Sequence, residues 1–167
     1  MINNTQMSLF IPPGAVQKSA GTWTPTVSTD LLSDVRTAAD ASNTLIVPVP
    51  LPSNAAYRAG AKLKSIDVFY KIATAAADDF ATVALKKKTL PATGTAVSGE
   101  DITFTCDAGH DTAAERKAAG DHTMTVTLST PAYIDDNDAY ELVMVIDFAT
   151  TTAFQLFGAR ANYELRV

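Results

Sequence analysis

Residues 62–74 read KLKSIDVFYKIAT. Ile66, Val68, Tyr70 and Ile72 recur every second position, with Asp67, Phe69 and Lys71 between them. Successive side chains of a strand point to opposite faces, so this period predicts a half-buried β-strand.

The same pattern extends through the chain. HTMTVTLST (122–130) places Met124, Val126 and Leu128 inward, and ITFTC (102–106) alternates before it. AYELVMVIDFAT (139–150) is a longer apolar strand after the turn-like IDDND (134–138). ATVALKKKTL (81–90) reads as a strand, followed by an expected turn over PATGTAVSGED (91–101). AFQLFGARANYELRV (153–167) closes the series. TLIVPVPLP (44–52) is β-branched, but Pro48, Pro50 and Pro52 lack backbone N–H groups, so it is expected at a sheet edge.

Short strands separated by turn signals and almost no helix predict an all-β chain: a jelly-roll-like β-sandwich of about eight strands. The sandwich domain is expected over 44–167. Residues 1–43 read as an extended N-terminal arm, because Pro12, Pro13, Gly14, Gly21 and Pro25 interrupt the apolar residues there. Within the arm, one strand is expected near Trp23 and a short helical turn around Leu31, Leu32 and Val35. Leu9, Phe10, Ile11 and Trp23 must be buried, either on the chain's own domain or on a partner. They are the candidate partner interface.

The two histidines bracket HDTAAERKAAGDH (110–122). Thr112 and Glu115 have the spacing of a capping box, the residues after them are mostly strong helix formers, and Gly120 stands where a helix ends. A capped two-turn crossover helix is expected, holding His110 and His122 apart. That geometry argues against a shared metal. IDDND lacks the glycine and distal glutamate of a calcium loop. No nucleophile elbow, zinc-protease helix motif, P-loop or dinucleotide fingerprint is present. The reading is therefore not an enzyme, with no catalytic residue, no metal and no cofactor.

Bulk properties narrow the partners. The 167 residues are 47% hydrophobic and 19% charged, with a net charge of -5 and a pI near 4.8. No basic face for nucleic acid is expected, since phosphate contact needs clustered Lys and Arg. The run Lys86-Lys87-Lys88 reads as protection of a strand edge. The single cysteine, Cys106, cannot form an internal disulfide and reads as a small buried hydrophobe, consistent with a reducing compartment. No apolar stretch reaches the length of a membrane span, and no secretory leader is expected.

One resemblance adds to this. The Tyr70-Lys71 pair, HDTAAER (110–116) with GDH (120–122), YIDDNDAY (133–140) and the Gly-containing aromatic last strand resemble a group of tailed-phage and prophage virion proteins. The likeness covers about residues 60–167, and its motifs look structural. It implies a component of a bacteriophage particle similar to jelly-roll capsid decoration, or cement, proteins. A homotrimer on the major capsid protein lattice is then expected, outside the capsid, assembled in the host cytoplasm. The alternative is a tail, collar or fibre component that binds a protein ring or a host glycan. In that case Trp23, Tyr57, Tyr133 and Tyr163 are the aromatics whose exposure matters.

Overall fold

Strands that alternate apolar and polar residues have one face to hide, and packing two such faces together hides both. A computed structural model describes residues 4–28, 31–52, 60–74, 76–90 and 97–166. Its strands are β1 (Asn4–Ile11), β2 (Gln17–Lys18), β3 (Trp23–Ser28), β4 (Leu31–Arg36), β5 (Ala41–Val49) and β6 (Ala61–Ala73). They continue with β7 (Asp79–Thr89), β8 (Ser98–Ile102), β9 (Phe104–Cys106), β10 (Gly120–Leu128), β11 (Asp138–Phe148) and β12 (Ala153–Arg166). One short helix, α1 (Ala113–Arg116), lies between β9 and β10.

The chain is an all-β sandwich of two antiparallel sheets. One runs β3-β4-β12-β6-β10-β9, with β1 also on β12, and the other runs β2-β5-β11-β7-β8. The expected inward residues are inward. Ile66, Val68, Tyr70 and Ile72 of β6 are buried, as are Met124, Val126 and Leu128 of β10. They meet Leu45 and Val47 of β5 and Leu142, Met144 and Ile146 of β11 across the sandwich core.

β12 organises the seven-stranded sheet. β6 pairs along one side of it, from Ala153 to Leu165. On the other side β4 takes Phe154–Leu156 and β1 takes Ala159–Arg166. Between these two stretches β12 is bulged against β6, at Gly158.

Several expectations need correction. Leu31, Leu32 and Val35 lie in strand β4, not in a helical turn, because all three pair with β3 and Val35 pairs with β12 on the other side. The described residues hold twelve strands where about eight were expected. Part of the excess is β1–β4, which belong to the sheets instead of forming a bare extended arm. The expected division between residues 43 and 44 falls inside β5. ITFTC is broken at Thr103: β8 pairs with β7, and β9 pairs with β10 in the other sheet. The turn expected through Asp101 gives way at Ser98, where β8 begins; residues 91–96 lie outside the described residues. β5 is second from its edge over Leu45 and Ile46, where Lys18 and Gln17 of β2 pair outside it, while Pro48 lies beyond that pairing.

The lysine run is not on an edge either, because β8 lies beyond β7. Lys86 pairs with Asp101, Lys87 with Glu100 at 3.1 Å, and Lys88 with Glu141 at 2.7 Å. These are cross-strand ion pairs that neutralise the run, each of modest energy at a wet surface.

Candidate functional site

The connection between β9 and β10 collects the chain's reactive side chains. It starts at Asp107, whose backbone N–H donates to Thr125 O at 3.0 Å. The Asp107 carboxylate accepts from Thr125 N–H at 2.7 Å through Oδ1, and its Oδ2 lies 2.7 Å from His110 Nδ1. Burial raises this carboxyl, but the hydrogen bonds from His110 and the Thr125 amide outweigh it and hold Asp107 below the ordinary carboxylate range.

The capping box is present: Thr112 Oγ1 accepts from Glu115 N–H, and Glu115 Oε2 accepts from Thr112 N–H. The helix is one turn long, not two. β10 begins pairing with β6 at Gly120↔Ile72, so only Lys117–Ala119 remain for reversing the chain. Tertiary pairing overrides the helix propensity of the alanines. This short turn brings the histidines together: His110 Nε2 lies 3.0 Å from His122 Nδ1. The expectation that the helix separates them is wrong for that reason. His122 Nε2 lies 2.9 Å from Ala118 O, and the His122 ring stacks on Tyr70 at 4.6 Å between centroids. Substituting Thr112 by alanine should cost about 1 kcal/mol, read from chemical denaturation, because it removes one half of the cap.

Arg116 anchors the connection to the opposite sheet. Its guanidinium donates to Phe80 O (2.9 Å) and Ala81 O (3.1 Å) of β7, and to His110 O (2.9 Å) and Asp111 O (3.2 Å). The Tyr70 hydroxyl donates to Arg116 O at 2.8 Å, and burial pushes its acidity far down, so it stays a donor. α1 joins β9 to its neighbour β10, as expected of a helix crossing from one strand to the next, while leaning on the other sheet. Beside it lies a groove of about 400 Å³ lined by Ala81, Val83, Phe104, Thr105, Cys106, Asp111 and Arg116.

This arrangement does not resemble a nucleophilic centre. Burial pushes the Cys106 thiol up, away from the thiolate, and Arg116 only partly offsets it. All four ring nitrogens of the histidines are within hydrogen-bond distance of a partner. Among the described residues no group of three or more His, Cys, Asp or Glu side chains is placed to hold a metal. In IDDND, Asp138 N–H donates to Asp135 O and Asp138 Oδ1 accepts from Thr89, which makes a turn leading into β11.

A second polar cluster lies on the outer face of the seven-stranded sheet. Asp67 is buried there and accepts from Arg160 Nε and Nη2 (3.0 and 2.8 Å), Asn162 Nδ2 (3.0 Å) and Thr125 Oγ1 (2.9 Å). Burial raises its carboxyl, but the bonds from Asn162, Arg160 and Thr125 prevail and depress it. A depressed carboxyl stabilises the fold above its unfolded value near ~4 and loses that contribution as pH falls through the lower folded value. Asp67→Asn should therefore flatten the acid limb of a stability–pH curve below about pH 4 and lower stability at neutral pH.

The candidate interface residues separate. Ile11 is in the core and Leu9 is half-buried. Phe10 is 57% exposed. Trp23 is half-buried, meets Phe154 edge-on at 6.0 Å, and donates its indole N–H to Ala20 O. Tyr163 is buried, Tyr133 is half-buried with Lys62 Nζ 5.8 Å from its ring, and Tyr57 lies outside the described residues. Sequence reasoning missed Val27, Leu31 and Leu32, which are 76%, 60% and 51% exposed on the β3–β4 hairpin. Reading 31–36 as a strand next to TPTVS would have placed them at a hairpin end. No helix among the described residues is long and apolar enough to cross a membrane.

No protein-family model matches the chain, and no curated protein matches it.

Proposed function

We propose that this chain is a structural protein of a bacteriophage particle, a decoration or cement protein that docks on the assembled major capsid protein lattice from outside. The observation that carries this reading is the placement of exposed apolar side chains. Of the seven large hydrophobic residues exposed among the described residues, Met7, Phe10, Val27, Leu31 and Leu32 all precede residue 33. They lie on β1 and on the β3–β4 hairpin, which flank the same side of β12. Exposed apolar groups clustered on one edge favour a protein partner. Leu9 and Trp23 adjoin this set.

The strand order supports reading the sandwich as a jelly roll. β4-β12-β6-β10 and β5-β11-β7-β8 are four-strand runs within the two sheets, and these eight strands, taken in chain order, alternate between the sheets except at β7 and β8. Closed cyclic symmetry, as in a homotrimer, matches a repeated docking site on a shell. Binding only the assembled lattice stabilises it by mass action. The role needs no catalysis, cofactor, nucleic acid or membrane.

The test is the copy number of the protein relative to the major shell protein in purified particles. A ratio near one supports a shell-wide cement. A ratio of a few per cent reassigns the chain to the tail, collar or fibres, and absence from particles overturns the virion reading. Val27, Leu31 and Leu32 changed together to serine should weaken shell binding at least about tenfold while leaving the denaturation midpoint nearly unchanged, since burying each Leu or Val is worth about 1.5–3 kcal/mol.

A further inference from the structure

The hydrogen bonds of the β9–β10 connection fix how many protons the two histidines carry. At one end Ala118 O can only accept, so His122 Nε2 bears a hydrogen. At the other end the Asp107 carboxylate is held ionised and can only accept, so His110 Nδ1 bears a hydrogen. Between them, His110 Nε2 and His122 Nδ1 stand 3.0 Å apart. With no hydrogen in that gap two lone pairs face each other, and with two hydrogens two N–H groups collide. One hydrogen satisfies both rings. The count is three hydrogens on four nitrogens, whereas two neutral imidazoles carry two and two imidazoliums carry four.

We infer that His110 and His122 share a single excess proton in the folded protein, with Asp107 as counter-ion, and that this proton clasps the 107–119 connection onto β10. The groups facing the pair fit one positive charge. Asp107 is the contacting anion from the β9 side. Glu115 of α1 is a further acidic neighbour acting on His110, and Arg116 donates to His110 O. From β6, Tyr70 offers its neutral ring face to His122, and Lys71 is engaged by Asp121 of β10 at 3.2 Å. Cys106 lies with Arg116 and Asp111 on the groove side.

This inference does not depend on the virion reading.

The experiment is nitrogen NMR of the histidine rings in the full, unmodified chain at neutral pH. The expected result is a hydrogen on His110 Nδ1 and on His122 Nε2, with one further hydrogen shared across the other two nitrogens. Two neutral rings, or two full imidazoliums, would overturn the inference. Asp107→Asn keeps an acceptor but removes the counter-charge, and should remove the shared hydrogen and leave two neutral rings; retention of all three hydrogens in this variant would also overturn it. If that variant fails to fold, the ring spectrum of the unmodified chain decides alone.

Discussion

Replacing Arg116 with leucine should lower the unfolding free energy by about 4 kcal/mol, among the largest effects of any single change outside the apolar core. The guanidinium is 7% exposed and has no carboxylate partner among the described residues. Its charge is held by four carbonyl oxygens, those of Phe80, Ala81, His110 and Asp111. Leucine fills much of the volume but leaves these acceptors without their donor, at roughly 1–3 kcal/mol for each one that stays buried and unpaired. Two of the four belong to β7 and two to the connection, so the change also unties the two sheets at this edge. Arg116→Lys should recover only part of the loss, because one ammonium cannot span the fork of acceptors. Chemical denaturation of the three proteins measures this. A leucine variant within about 1 kcal/mol of the parent would show that the carbonyls find other partners.

Gly158→Ala should cost about 3 kcal/mol and act where β1 meets β12. Gly158 has φ +119°, where a side chain is strained. A Cβ there would lie 2.5 Å from Ile11 O and 3.1 Å from the Phe10 ring. The Ile11 carbonyl is backbone and cannot swing aside, so β1 must move off β12 or the β12 bulge must rearrange. Ile11, buried in the core, moves with it. Amide exchange should therefore show β1 losing protection before β6 or β10. Retention of full β1 protection in this variant would mean that the bulge absorbs the methyl group.

How much was legible in the sequence depended on whether a strand has one buried face and regular neighbours. β6 and β10 do, and their two-residue period placed Ile66 and Val126 correctly in the core. β4 does not. Leu31, Leu32 and Val35 have helix-like spacing, and two of the three are exposed, so only pairing with β3 and β12 identifies the strand. Ile102, the end of β8, read as one run with β9 because a switch of sheets at Thr103 leaves no mark in the alternation. The cap at Thr112 was legible, being local. The histidine contact was not, because it depends on where β10 starts to pair with β6, some fifty residues earlier in the chain. The roles of Asp107 and Arg116 were hidden for the same reason: their partners are backbone groups or strand ends that only the closed sandwich brings near.

The shared flank of β12 sets an order of events during synthesis. β1 hydrogen-bonds along residues 159–166, in register from Asn4↔Arg166 to Ile11↔Ala159. A growing chain thus carries β1 through most of its translation with no template to zip onto, and β4 likewise waits for Phe154–Leu156. Until β12 leaves the ribosome, β6 has its partner on one side only, and the seven-stranded sheet exists as three pieces: β3-β4, β6-β10-β9 and β1 alone. Such long-range pairing is expected to make closure the slow step, on the millisecond-to-second scale of other non-local β folds. A ribosome stalled before residue 153 would display β1 as an open strand edge, the form in which neighbouring nascent chains can pair with each other instead.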